Sequence, residues 1–164
     1  MSAYSLSNPV FVSYLIAASI MILKLMGQGW ITVFRMIRSD AGLLNPEDLL
    51  PGPANPNPRP EQLASNDYVE RSRRIHRNDL ENIPTFLACT LCRHWAIAHH
   101  SEYPVIAFIA ARLAHTLAYT TGQRHEVRAT LFSIGSIIVI VIVIVIVIVI
   151  VMAVQVLLAA VMAF

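Results

Sequence analysis

The chain has 164 residues, 56% of them hydrophobic and 13% charged, with a formal net charge of +2 and a mean hydropathy of +0.61. A soluble domain carries roughly 25% charge, so this composition excludes a single water-soluble core and implies an integral membrane protein. A net charge of +2 without aromatic-interleaved basic runs excludes a nucleic-acid surface, and two cysteines make no disulfide framework.

The length fits one membrane domain over residues 1–164. Residues 1–8 hold no Lys or Arg, so the positive start of a cleavable signal is missing. The first apolar segment, residues 9–34, exceeds the roughly 20 residues a spanning helix needs. Lys24 lies inside it, where a cation pairs with an acid or faces the bundle interior. Arg35 and Arg38 follow, and an anchor at the helix C-terminal dipole is their plainer reading. Residues 39–65 are proline-rich, with six prolines from Pro46 to Pro60, and read as a cytoplasmic loop of extended stretches rather than a packed element. Within it Asn45-Pro46-Glu47-Asp48 reads as an N-cap, a proline at the first helical position and two acids at a short helix start.

The second span, residues 67–99, is capped by Ser65 or Asn66 and opens in the charged stretch YVERSRRIHRNDLENIPTF. Arg74, Arg77, Asn78 and Glu81 are spaced i, i+3, i+4, i+7 and share one helix face. Arginine grips carboxylates bidentately, asparagine both donates and accepts, and glutamate accepts from an ammonium. That face suits a zwitterionic or polyanionic small ligand. Topology-setting charge with intrahelical pairs explains the same spacing, and spacing alone leaves both open. The lone Cys89-x-x-Cys92 lacks the second pair a metal or redox site needs. His94, His99 and His100 converge with no acidic set and read as interfacial.

The third span, residues 102–122, carries Arg112, His115 and Tyr119 on one face. An intramembrane arginine is a functional-site hypothesis by default. An internal ion pair with Glu81 is the structural alternative. The fourth span, residues 126–163, begins with Arg124, Arg128 and Phe132 along one face. A guanidinium at the membrane edge stabilises an anion such as a thiolate; a snorkelling anchor is the plainer reading. Ile138 to Val151 is an unbroken Ile-Val alternation. In water this is a strand, but in lipid the backbone must satisfy itself, so it reads as helix. It lacks the small residues of close helix contacts and should face lipid. Ala129 to Phe164 is 36 residues, roughly 54 Å as helix against a hydrocarbon core of about 30 Å; it must tilt, break or project.

Four apolar runs without barrel patterning predict an all-α protein, a transmembrane four-helix bundle. Nine of the 12 basic residues fall at the first-to-second and third-to-fourth connections, which puts that side in the cytoplasm and both termini opposite. GQGW lacks the strand–turn–helix context of a nucleotide loop.

ERSRRIHRNDLEN together with RLAHTLAY, and NPED in the first loop, resembles the MAPEG family of membrane-associated proteins in eicosanoid and glutathione metabolism, over roughly residues 24 to 132. The resemblance implies a homotrimer with glutathione as cosubstrate, bound between subunits near the cytoplasmic side, and no metal. It implies glutathione binding by Arg35, Arg74, Arg77, Asn78, Glu81, Arg112, His115 and Tyr119, with Arg128 catalytic beside the sulfur. Arg35 aligns only with a two-residue shift. The family's prostaglandin E synthase branch has Ser and Tyr where this chain has Ala129 and Phe132, whereas its transferase branch matches. Pro84 sits one residue earlier than the family's proline, which displaces any kink. The implied activity is glutathione transfer to lipophilic electrophiles drawn from the bilayer, with glutathione peroxidase activity on lipid hydroperoxides. A prostaglandin-synthase-like isomerase, with Asp48 as a further candidate residue, is the runner-up. A non-catalytic lipid-presenting scaffold and a small anion-conducting bundle are further alternatives. The implied membrane is the bacterial inner membrane or the endoplasmic reticulum, with the site facing the cytoplasm.

Overall fold

Lipid offers no partner to a backbone amide, so a chain this apolar is left with structures that satisfy their own N–H and C=O groups. A computed structural model describes residues 5–53, 55–96 and 102–162, with side chains omitted at 93–96. The fold is all-α, with four long helices and no strand among the described residues: α1 Pro9–Ser39, α2 Asp67–Ala96, α3 Tyr103–Thr120 and α4 His125–Met162. By length and composition α1 and α4 can each cross a membrane. The connection between α2 and α3, with His99 and His100, lies outside the described residues, as does the side chain of His94.

The helix ends follow from local chemistry. Asn8 Oδ1 accepts from the Val10 amide at 3.0 Å at the start of α1. Of the two cap candidates for α2, Asn66 does the capping: its Oδ1 accepts from the amides of Tyr68 at 3.0 Å and Val69 at 3.4 Å. At the end of α3, Gly122 takes a φ of +70°, a conformation only glycine enters cheaply. Its amide donates to Tyr119 O at 3.2 Å and that of Gln123 to Ala118 O at 2.9 Å, which closes the helix. α2 runs through Pro84 without a break. The Ile-Val run is helical throughout within the 38 residues of α4.

The chain divides into two compact units, one of residues 23–79 and one of residues 1–22 with 80–164. In the first, α1 and α2 are joined by polar contacts. Lys24 pairs with Asp79, their side chains 9% and 0% exposed. Gln28 Nε2 donates to Ser72 Oγ at 2.7 Å, and Thr32 and Ser72 share a hydroxyl hydrogen bond at 2.9 Å. Arg35 Nη1 donates to Tyr68 O at 3.0 Å. The expectation of an unpacked proline-rich loop is corrected here. Pro46–Leu49 and Pro60–Leu63 are 3-10 turns, each started by the proline that also blocks an incoming helix. Gln62 is buried among them: it donates to Asp40 Oδ1 at 2.6 Å and accepts from Asn55 Nδ2 at 2.8 Å and the Arg59 amide at 3.0 Å. Proline density signals extended backbone, but one amide side chain supplies the partners that fold the loop back.

In the other unit α3 packs along α4. Phe86 and Phe108 stack with centroids 3.9 Å apart, and Ser136 Oγ donates to Asn82 Oδ1 at 3.0 Å. Ser13 Oγ donates to Glu102 Oε2 at 3.2 Å. These hydrogen bonds lie inside apolar surroundings, where each polar group must be answered by another.

Removing one member of a buried ion pair leaves the other charge without compensation. Lys24→Met should therefore destabilise the protein by about 3–5 kcal/mol, read as a lowered unfolding midpoint in detergent. A midpoint unchanged from wild type would show that the pair is solvated.

Candidate functional site

Two clusters of polar side chains stand out from the apolar helices, one in each unit. The first is on α2. Its buried stripe runs through Ser72, Ile75, Asp79, Ile83 and Phe86, the i, i+3, i+4 rhythm of a packed helix face. Arg74, Arg77 and Glu81 are exposed and Asn78 is half-buried. At about 100° per residue, Arg74, Arg77 and Glu81 each lie within roughly 40° of the point opposite Asp79. Three of the four grouped residues therefore form the outward face of α2, and Asn78 borders it. Arg35 is buried at 6% exposure. Its guanidinium lies 4.4 Å from the Tyr68 ring centroid while Nη1 bonds the Tyr68 carbonyl, so the helix-end arginine turns inward onto α2.

The second cluster is built by α3 and α4. Arg112 and His115 are 0% and 1% exposed, and Tyr119 is half-buried one turn further on. The His115 ring lies 4.9 Å from that of Tyr119 and 5.9 Å from that of Phe132. The Arg112 guanidinium sits 5.6 Å from the Phe132 ring centroid and that of Arg128 sits 4.6 Å from the Tyr119 centroid. Aromatic faces attract cations electrostatically, more so away from water. Thus four sequence-predicted residues, Arg112, His115, Tyr119 and Arg128, are brought together. Glu81, in the same unit, is exposed. Arg128 keeps a buried Nε that makes no hydrogen bond among the described residues of the chain.

Two residues of this cluster carry weight that the sequence pattern did not assign. Phe132 marked a departure from a hydroxyl, yet it supplies the ring under Arg112 and beside His115. Gly135 is buried on α4, and a β-carbon there would lie 3.3 Å from Arg112 Cδ. The missing side chain is what lets the arginine stem pass. The signal was available: Gly135 sits between Ser133 and Ser136, a cluster of small residues just ahead of the Ile-Val run.

A cavity of about 850 Å³ opens between the end of α1 and the proline-rich loop. Val33, Ile37, Leu43 and Leu50 form an apolar wall, and Asp48 and Arg59 are among its polar groups. Asp48 Oδ2 also accepts from the Asn45 amide at 3.2 Å, so it has the helix-start role its NPED context predicts. Cys89 and Cys92 are free thiols. Among the described residues no three His, Cys, Asp or Glu side chains gather as metal ligands.

The MAPEG family profile matches residues 14–148. Human "Microsomal glutathione S-transferase 1" is 32% identical over 134 residues, which is 79% of this chain and 84% of that protein. The cattle protein of the same name is 33% identical over 137 residues, with the same coverage. Human "Prostaglandin E synthase" is 29% identical over 145 residues, 84% of this chain and 89% of that protein. With both clusters and most of α1 and α4 lying inside the matched region, the chain belongs to the MAPEG family of membrane proteins.

Proposed function

We propose that this protein is a glutathione transferase that conjugates the glutathione thiolate to lipophilic electrophiles, and that it reduces lipid hydroperoxides with the same thiolate. The observation that carries this is Arg128: a cation held on the face of Tyr119, beside buried Arg112, with a buried Nε that makes no hydrogen bond among the described residues. A thiol of ordinary pKa, about 8.5, is mostly protonated at neutral pH, and its thiolate is the nucleophile. An adjacent guanidinium favours the ionised form and holds it by a charge-assisted hydrogen bond. The relatives named for glutathione transfer and for prostaglandin E synthesis support glutathione as the thiol.

In this reading Arg74, Arg77, Asn78 and Glu81 bind the charged ends of glutathione, while Arg112, His115 and Tyr119 line its thiol end. The outward position of Arg74, Arg77 and Glu81 fits a ligand shared with a neighbouring copy in a homotrimer, on the cytoplasmic side of the membrane. The electrophile enters from the bilayer. Sulfur–carbon bond formation expels the leaving group or opens the electrophile to a thioether. With a hydroperoxide, two thiols are oxidised to the disulfide as the peroxide is reduced to alcohol and water. An isomerase of the prostaglandin E synthase kind is less well supported, because Ala129 and Phe132 offer no hydroxyl to assist the thiol.

Arg128→Ala should lower kcat for conjugation of a chromogenic electrophile by about 100-fold, the scale seen when one preorganised donor to a developing anion is removed. The ascending limb of its pH–rate profile, set by ionisation of the thiol, should move up by about 1–3 pH units, because a lost neighbouring cation returns the thiol towards its free pKa. Unchanged turnover and an unchanged pH profile would remove Arg128 from the mechanism. Protein that neither conjugates nor raises thiolate absorbance on adding glutathione would sink the transferase reading itself.

Gly135→Val should press on the Arg112 stem. Overpacked sites of this kind cost about 1–3 kcal/mol, and conjugation should fall with stability; wild-type values of both would show that Arg112 yields freely.

A further inference from the structure

Lys24, Gln28, Thr32 and Arg35 lie at i, i+4, i+8 and i+11 on α1, one face of a mostly apolar helix. Every one of them meets α2: Lys24 meets Asp79, Gln28 and Thr32 meet Ser72, and Arg35 meets the Tyr68 carbonyl and ring. Gln28, Ser72 and Asp79 are 3%, 0% and 0% exposed. This is a ladder of interhelical polar contacts over three turns, closed at one end by a buried ion pair.

Apolar side chains pack against one another in many registers at similar energy, whereas a charge in an apolar setting accepts few positions. A slip of one residue turns α2 by about 100°. It would carry Arg74 and Arg77 off the outward face and bring a different set of side chains to Lys24. Replacing both members of a buried pair by neutral groups of similar shape is often neutral or stabilising. The pair is therefore better suited to selecting one register than to strengthening the fold.

We propose that the Lys24–Asp79 pair and the ladder behind it are positioning devices: they set the rotation of α2 so that Arg74, Arg77 and Asn78 present a ligand-binding face. Arg35 belongs to this ladder rather than to the group that touches ligand. The reading of that face as a glutathione site is the one proposed above, and the test separates the two.

The full-length protein in detergent is compared with the double variant Lys24→Met, Asp79→Asn, both in a Cys89→Ser, Cys92→Ser, Ile75→Cys background. Ile75 is 1% exposed one turn from Asp79 on the same stripe, so the thiol introduced there reports rotation of α2 by its rate of maleimide labelling. Glutathione binding is measured by calorimetry and the unfolding midpoint by circular dichroism. The double variant should keep or raise the midpoint, bind glutathione about tenfold more weakly and label at position 75 about tenfold faster. Lys24→Arg alone, which preserves the pair, should keep wild-type labelling and binding. A folded double variant with wild-type labelling and wild-type affinity overturns the proposal, and so does one that fails to fold, because the pair would then be a stabiliser. If the parent protein binds no glutathione, the ligand reading fails and labelling alone decides the positioning role.

Discussion

A lysine in a helix bound for lipid has to be answered inside the protein, and Asp79 is the answer. Asp79 is fully buried and the Lys24 side chain only 9% exposed, so the pair is held where the two helices bring it together. That single requirement orients α2 against α1. With Ser72, Ile75 and Asp79 turned inward, helical geometry leaves Arg74 and Arg77 no direction but outward. The charged stretch of α2 is thus split by its partner helix into a structural face and a free one. Arg73 belongs to the structural side, pairing with Glu70 and donating to the Gly42 carbonyl. Six charges within three turns, Glu70 to Asp79, look alike in sequence and are separated only by what lies behind them.

α3 and α4 place two further cations against aromatic rings. Arg112 is as buried as Asp79, and its neighbours include the face of Phe132 and the gap left by Gly135. An aromatic face attracts a guanidinium without fixing a proton or claiming all five donors. Arg128 on Tyr119 follows the same arrangement. Cations held by rings stay electrostatically active, whereas a cation held by a carboxylate is largely spent. The contrast between Lys24, neutralised by Asp79, and Arg128, stacked on Tyr119 with a donor to spare, is why the first orients a helix and the second is suited to an anion.

Local rules made much of this legible. A cap at Ser65 or Asn66, the NPED turn and the shared face of Arg112, His115 and Tyr119 follow from spacings under eight residues, and the helical state of the Ile-Val run follows from the demand that a backbone in lipid bond itself. What was not legible involved partners far apart in the chain. Lys24 asked for an acid, but ten acids are present, and spacing could not choose Asp79. Arg35 ends a helix, where an anchor or a ligand contact is the ordinary expectation; its inward turn depends on a carbonyl 33 residues away. Glu81 was a reasonable partner for Arg112 by charge, yet it is exposed where Arg112 is fully buried. Gln62 is an unremarkable residue in a proline-rich loop until Asp40 and Asn55 arrive beside it.

The Ile-Val run shows the opposite limit. On α4 the buried residues are Gly135, Val139 and Ile142, one stripe at i, i+4 and i+7. No described residue after Ile142 is buried. Up to that point the sequence varies with its contacts: Arg128 lies on Tyr119, Phe132 beside His115 and Arg112, Gly135 against the Arg112 stem, and Ser136 bonds Asn82. Beyond it the only requirement is apolarity and a backbone that bonds itself, which two β-branched residues meet as well as twenty types could. Helix propensity disfavours both, but in lipid the alternative is an unsatisfied backbone, whose cost of several kcal/mol per group overwhelms that preference. A stretch without packing partners has no reason to be diverse. The monotony of α4 is therefore the mark of a surface whose surroundings do not discriminate, and the specific chemistry of the chain is concentrated in the helices and half-helix that precede it.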